Sequence, residues 1–254
     1  MSAAAPRPSV WAIIPSRYGS TRFPGKPLAL LGGKPMVQHV FERVSRAPGI
    51  ALAVVATDDG RIFKTVEGFG GKAVMTGEQP TGTDRVNEAV KLLCAKQAAP
   101  EYVLNVQGDE PFIDPANLER LIQGMAARPE AQMGTLVLAL QAEALREYPH
   151  QGKVVMDRQG RALYFSRAPI PYRMKPGYTG YQTMGVYLFR TAFLHIFAAL
   201  PQTPLAESEQ LEQLRALEHG HAIHCFEAQG ASMEVNTPED LVNAEAHLQR
   251  ITRR

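Results

Sequence analysis

Short apolar runs alternate with helical stripes through the first half of the chain, and this alternation narrows the possible folds more than any other feature. Val10-Trp-Ala-Ile-Ile14 ends at Pro15, and Ala51-Leu-Ala-Val-Val-Ala56 ends at Thr57-Asp58-Asp59. Ala73-Val-Met75 and Tyr102-Val-Leu-Asn-Val106 are further runs of the same kind. Between them, Met36, Val37, Val40, Phe41 and Val44 recur at helical spacing, as do Ile62, Phe63, Val66 and Phe69. Val86, Ala89, Val90 and Leu93 form a third stripe, and Leu118, Leu121, Ile122 and Met125 a fourth. Apolar residues three and four apart share one face of a helix, whereas a short apolar run closed by turn residues is a buried strand. Parallel strands need long crossovers, usually helical, so the alternation predicts a mixed, mostly parallel sheet with helices on both faces. Such sheets bind ligands beyond the carboxyl ends of their strands. The loops after Ile14, Ala56 and Val106 are therefore where chemistry is expected.

From about residue 133 the rhythm changes. Met133 to Leu140 is strand-like, and Lys153-Val-Val-Met-Asp157 and Ala162-Leu-Tyr-Phe-Ser166 flank Arg158-Gln-Gly-Arg161 as a hairpin suited to a subunit contact. A strand near 185–189, a helix from about Glu207 to Glu218, a strand near 222–226 and a helix from about Pro238 complete the reading. There is no internal repeat and no linker. The chain reads as one domain over 1–254, with 1–9 a flexible leader.

Composition excludes several classes. A formal net charge of +2 gives no bulk field for nucleic acid, so an anionic ligand must be met by a few local Arg and Lys residues. Cys94 and Cys225 supply neither a disulfide framework nor a metal knuckle, and both read as inert thiols. His219, His221 and His224 are a poor ligand set, since on a strand His221 and His224 face opposite sides. No apolar run approaches the ~20 residues of a membrane span, and Met1 to Ser9 lacks the apolar core of a signal peptide. A cytoplasmic protein is expected.

The first loop, Pro15-Ser-Arg17-Tyr-Gly19-Ser-Thr-Arg22-Phe-Pro-Gly25-Lys26-Pro27, is not a P-loop: the glycine spacing is wrong and Pro27 stands where Ser or Thr is needed. It nonetheless has the makings of a polyphosphate cradle, with glycines that allow close backbone approach and cations beside them, a solvated basic surface loop being the alternative. After Val106, Gln107-Gly108-Asp109-Glu110-Pro111 delivers a carboxylate beside a glycine, a natural position for Mg²⁺, with an ordinary Asp-containing turn the alternative. Thr81-Gly82-Thr83-Asp84-Arg85 opens a helix whose N–H groups can read a base or phosphate, with Thr83 as a plain N-cap the alternative. Glu234-Val-Asn236-Thr237-Pro238 offers Thr237 or Asn236 as a cap and Pro238 at the first helical position.

Together these segments resemble the 3-deoxy-manno-octulosonate (Kdo) cytidylyltransferase family. The resemblance rests on the runs at 14–27, 55–59, 81–85, 105–111, 162–167, 211–215 and 235–241, in that order, and extends from Ile13 to about Leu241. It implies a nucleotide-diphospho-sugar transferase (GT-A-like) fold, usually dimeric. It implies Mg²⁺-dependent transfer of CMP from CTP to the anomeric hydroxyl of Kdo, with release of pyrophosphate, for lipopolysaccharide biosynthesis. Arg17 and Lys26 match the family's cations on the CTP phosphates, and Gly82, Thr83 and Gln107 match nucleotide contacts. Asp109 matches a magnesium ligand, and with Arg17 and Lys26 it makes the expected catalytic set. Arg167, Tyr187, Glu212 and Gln213 match the sugar pocket, which would fall partly in the region of about 150–190 together with the dimer contact. Two positions depart. Asn236 stands where the family has an aspartate that binds a second magnesium, and Met184 stands where it has histidine beside the sugar. Both fall on the sugar and metal side, so the alternatives are a cytidylyltransferase for a modified acid such as 8-amino-Kdo, or a non-catalytic protein that binds CTP or a CMP-sugar.

Overall fold

A computed structural model describes residues 8–19, 22–141, 151–175, 177–230 and 233–252. Apart from residues 8 and 9, the expected leader lies outside the described residues. The chain divides into two compact units, one formed by 1–119 with 232–254 and the other by 120–231.

The first unit is built on β1 (Val10–Pro15), of which every residue is buried. β1 pairs in parallel with β4 (Ile50–Thr57) on one side and β6 (Tyr102–Val106) on the other, so that Ile13 is opposite both Val54 and Asn105. β5 (Ala73–Met75) adds in parallel to β4. A strand flanked on both sides and covered on both faces has no polar face, which is why these strands read as unbroken apolar runs. Helices α1 (Met36–Ser45), α2 (Gly60–Gly68) and α3 (Gly82–Cys94) are the crossovers. Each buries the stripe seen in the sequence: Met36, Val37, Val40 and Val44 in α1, Ile62 and Val66 in α2, Val86, Ala89 and Val90 in α3.

A small ribbon of β2 (Leu30–Leu31) and β3 (Lys34–Pro35) precedes α1. Its turn uses Gly32 at φ 57°, where a Cβ would collide with Leu248 of the C-terminal helix, and the Gly32 N–H donates to Glu245 at 2.7 Å. Leu31, Met36, Phe112, Val235 and Ala244 form the core beneath. After α4 (Pro115–Ala126), within which the division between units falls, the second unit begins.

In that unit β7 (Met133–Gln141) is central, paired in parallel with the late strand β11 (Ile223–Glu227) and antiparallel with β10 (Thr179–Arg190). β8 (Lys153–Met156) and β9 (Ala162–Ser166) form the expected hairpin, and β8 also pairs with β10. Helix α5 (Thr191–Ala199) follows β10. The helix expected over 207–218 is two, α6 (Pro204–Glu209) and α7 (Leu214–Glu218). Gln210 takes a left-handed backbone, φ 53°, between them and ends the first. The last helix, α8 (Pro238–Thr252), returns to the first unit. The chain thus has the mixed, mostly parallel sheet expected. No helix among the described residues is long and apolar enough to cross a membrane.

The thiols of Cys94 and Cys225 are part-buried, and burial raises both, Cys225 to about 12. They are held as neutral thiols, in keeping with the inert reading.

Candidate functional site

The three parallel strands β1, β4 and β6 all end at one edge of the first unit, and beyond that edge lies a cavity of about 270 Å³. Its wall is drawn from the loop after β1 (Pro15, Ser16, Arg17, Arg22, Lys26, Pro27), from the run into α3 (residues 79–82 with Arg85) and from Gln107, Gly108 and Asp109 after β6. Five of the residues singled out in the sequence therefore meet in one place: Arg17, Lys26, Gly82, Gln107 and Asp109.

The described residues of the first loop are tied down at two places. The Gly25 N–H donates to the Tyr18 carbonyl at 2.9 Å, and the Arg61 guanidinium lies 3.4 Å over the Tyr18 ring. Arg61 is held in turn by Asp59, the N-cap of α2, through contacts of 2.6 and 3.0 Å. These hydrogen bonds, working against desolvation, lower the Asp59 carboxyl to about 2. Gly25 sits at φ 72°, and a Cβ there would stand 3.2 Å from the Tyr18 ring, so the position requires glycine. The loop presents Arg17 and Arg22 exposed at the cavity and brings Lys26 Nζ to 3.0 Å from Asp109 Oδ2.

The opposite wall is set by α3. Thr81, not Thr83, is its N-cap, its hydroxyl accepting from the Asp84 N–H at 3.1 Å. Thr83 is fully buried below the cavity wall, where its hydroxyl accepts from Asn105 at 3.1 Å. Arg85, which the sequence reading passed over, lines the cavity and ties Asp58 (2.6 Å) to Thr76 (2.6 Å). Glu88 accepts from the Gly77 N–H and from Gln79 Nε2, at 3.1 and 2.7 Å, and so fixes the loop that carries Gln79 to Gly82.

Asn236 reaches this neighbourhood through the backbone: the Val235 N–H donates to the Asp109 carbonyl at 3.0 Å. Val235 points into the apolar core, and Asn236 Nδ2 donates to Glu234 Oε2 at 3.0 Å. Thr237 caps α8, accepting from the Asp240 N–H at 3.2 Å, while Asp240 accepts from the N–H groups of Asn236 and Thr237. Glu234 was not singled out from the sequence. Burial, together with the charges of Glu110 and Asp109, pushes its carboxyl up to about 8 against the opposing pull of Asn236 and Lys26. Among the described residues no three His, Cys, Asp or Glu side chains form a metal cluster by themselves. His221 instead packs edge-on to Phe193, at 4.9 Å between ring centres.

The expected sugar-side residues all lie in the second unit. Met184 and Tyr187 are buried on β10, Gln213 is buried before α7, and Glu212 is part-buried beside it. Gln213 Nε2 has no hydrogen-bond partner among the described residues. Arg167 is joined to this segment: its guanidinium donates to the carbonyls of Glu209 and Gln210 at 2.9 and 3.0 Å, and its N–H donates to the Glu209 carboxylate at 2.8 Å. Burial alone would raise the Glu209 carboxyl, but the bonds from Ser166, Arg167 and Tyr164 outweigh it and hold the group below its ordinary range. Beneath Arg167 the fully buried Lys153 donates to its carbonyl at 3.0 Å, and burial lowers the Lys153 ammonium.

A model of the cytidylyltransferase family matches residues 11–223. The chain belongs to that family. As a cytidylyltransferase it is a nucleotidyl-transferring enzyme. It is 49% identical, over 94% of this chain and 98% of the other, to a Shewanella sp. (strain W3-18-1) protein named 8-amino-3,8-dideoxy-manno-octulosonate cytidylyltransferase. A Shewanella baltica (strain OS155) protein of the same name is 48% identical over the same shares of both chains. Among solved structures, a CMP:2-keto-3-deoxy-manno-octonic acid synthetase complexed with CTP matches with TM-score 0.87 and 40% identity, covering 95% of this chain and 99% of that one. A 4-diphosphocytidyl-2C-methyl-D-erythritol synthase from Anaerococcus prevotii, 15% identical with TM-score 0.63 over 96% and 100% of the two chains, shares the fold.

Three residues of this cytidylyltransferase's cavity region escaped the sequence reading. Arg85 lay inside a quoted motif but reads as one more surface cation until its buried bonds are seen. Glu234 stands two residues before Asn236 and so emerges on the same side of an extended segment, a signal that was available. Ser16 is only 3% exposed and its hydroxyl has no partner among the described residues, which no sequence pattern reports.

Proposed function

We propose that the chain transfers CMP from CTP to the anomeric hydroxyl of 8-amino-3,8-dideoxy-manno-octulosonate, releasing pyrophosphate. The observation that carries the nucleotide half is the cavity at the carboxyl ends of β1 and β6, where Arg17, Arg22 and Lys26 stand over a wall kept low by Gly82 and Gly108. The acceptor half is supported by the name borne by the relatives at 48–49% identity, and this favours the amino sugar over the Kdo read first from the sequence.

In this reading the anomeric oxygen attacks the α-phosphorus as the bond to the bridging oxygen breaks. The pyrophosphate leaves with that electron pair, and the hydroxyl proton passes to water. Such a transfer is mostly positioning and charge stabilisation. Arg17 and Lys26 neutralise the leaving pyrophosphate, Gly82 lets the nucleotide approach the start of α3, and Gln107 offers amide groups to it. Arg167, Met184, Tyr187, Glu212 and Gln213 shape the acceptor side in the second unit.

We also propose that Mg²⁺ is required. The donors suit a hard cation: Asp109 is a carboxylate beside the cradle, and Asn236 and Glu234 bring an amide oxygen and a second carboxylate alongside. Mg²⁺ is usually held by one or two carboxylates with phosphate oxygens and water. Bound there, the ion would act as a Lewis acid toward the phosphate oxygens. A homodimer is proposed through the hairpin region, where Leu163 is 62% and Tyr172 90% exposed. Light scattering on the purified protein checks it.

The deciding experiment is pyrophosphate release from CTP and Mg²⁺ with the amino sugar and Kdo in parallel. Turnover with the amino sugar is expected. Turnover with Kdo alone overturns the acceptor assignment, and CTP binding without turnover of either favours a nucleotide-binding protein.

A further inference from the structure

Ser16 is the first residue beyond β1, and its N–H donates to the Ala56 carbonyl at 2.8 Å, so the main chain there is tied down by β4. The residue belongs to the cavity wall and is 3% exposed. Its hydroxyl finds no hydrogen-bond partner among the described residues. Gly108 faces it closely: a Cβ there would stand 3.4 Å from Ser16 Oγ and 3.4 Å from the Pro15 carbonyl. Glycine there brings no side chain to partner the hydroxyl. A buried hydroxyl left unpaired carries its full desolvation cost, and such groups are rare in folded proteins. This one lies where parallel sheets receive their ligands.

We propose that the Ser16 hydroxyl is a binding determinant for the nucleotide, donating a hydrogen bond to one of its oxygen atoms. The inference rests on the nucleotide reading of the cavity above. The partner missing from the protein is supplied by the ligand, so the hydroxyl raises affinity for the nucleotide at the expense of the empty protein. The two effects of removing it have opposite signs, which a merely structural serine would not show.

The test is calorimetric titration of CTP into the wild type and Ser16→Ala without divalent metal, with melting of both ligand-free proteins. Ser16→Ala is expected to bind CTP about tenfold more weakly, the loss of roughly one hydrogen bond to an ionised or strongly polar oxygen. Its ligand-free melting temperature is expected to equal or exceed that of the wild type. Ser16→Cys keeps the volume with a much weaker donor and is expected to weaken CTP binding in the same direction. Titrations of cytidine and pyrophosphate then locate the acceptor. A loss seen with cytidine puts it on the nucleoside, and a loss seen with pyrophosphate puts it on a phosphate. Unchanged CTP affinity in both variants, or a lower ligand-free melting temperature in Ser16→Ala, overturns the proposal. A wild type that binds none of these ligands overturns the nucleotide reading itself.

Discussion

Lys26 Nζ donates to Asp109 Oδ2 at 3.0 Å, with the two side chains 15% and 23% exposed. A cation from the loop after β1 and a carboxylate delivered by β6 thus satisfy each other across the cavity. In the proposed reading each holds the other until ligand charges take over, the phosphates at Lys26 and the metal at Asp109.

Removing the cation should therefore be felt in the reaction more than in the fold. Lys26→Met is expected to lower kcat/KM for CTP by about a hundredfold or more, the usual scale for a lost charge-stabilising donor. Pyrophosphate release across a range of CTP concentrations measures it. A change below threefold would remove Lys26 from the transition-state set.

Asn236 lies on the same side of its segment as Glu234, alongside the backbone of Asp109. Asn236→Asp adds another carboxylate to a place where Glu110 and Asp109 already repel Glu234. Tighter Mg²⁺ binding to the CTP complex is expected, with a lower melting temperature for the metal-free variant. Titration of Mg²⁺ into that complex reads the first effect, and unchanged affinity would exclude position 236 from the metal site.

The stack of Arg61 on Tyr18 fixes the cradle without lining it. Arg61→Ala should raise KM for CTP several-fold with kcat little altered, because the loop must then be ordered by the nucleotide itself. Steady-state kinetics separates the two parameters. A fall in kcat at unchanged KM would contradict a positioning role.

His224 is buried on β11, and its Nδ1 has no partner among the described residues. Burial first, and then the charges of Arg128 and Arg161, lower its pKa below 6.5, with Glu130 and Asp157 opposing. Below pH 6.5 the unfolded chain accepts a proton that the folded one refuses. This group's contribution is therefore intact above that pH and is lost as the pH falls toward the folded-state value. Urea unfolding at about pH 7.5 and about pH 5.5 should show a steeper loss in the wild type than in His224→Gln. Equal losses would show that His224 titrates normally.

The first unit was legible in the sequence because its strands are covered on both faces and its helices on one, so each writes its own period. The second was legible only in part. Helix α5 was missed because Thr191 to Ala199 is apolar nearly all round and shows no stripe. β10 was foreseen only around 185–189, since Gln182 and Thr183 are buried polar residues that interrupt the apolar run. The break at Gln210 is a backbone event, held by Arg167 just beyond β9, and side-chain periodicity carries no trace of it. Motifs brought Arg17, Lys26, Gly82, Gln107 and Asp109 to one cavity, but they named Thr83 where the helix start turns it inward. Spacing along a chain does not say which of two neighbouring threonines lines the cavity.

Every residue that lines the cavity comes from the first unit, while Arg167, Met184, Tyr187, Glu212 and Gln213 all come from the second. Under the proposed assignment, selection on the acceptor acts on one stretch of chain while the machinery that recognises the activated donor is inherited unchanged. On this view a change of sugar is written mainly into residues 120–231, with Asn236 the departure that lies outside them, and a graft of that segment between relatives should carry acceptor preference with it while leaving the appetite for CTP where it was.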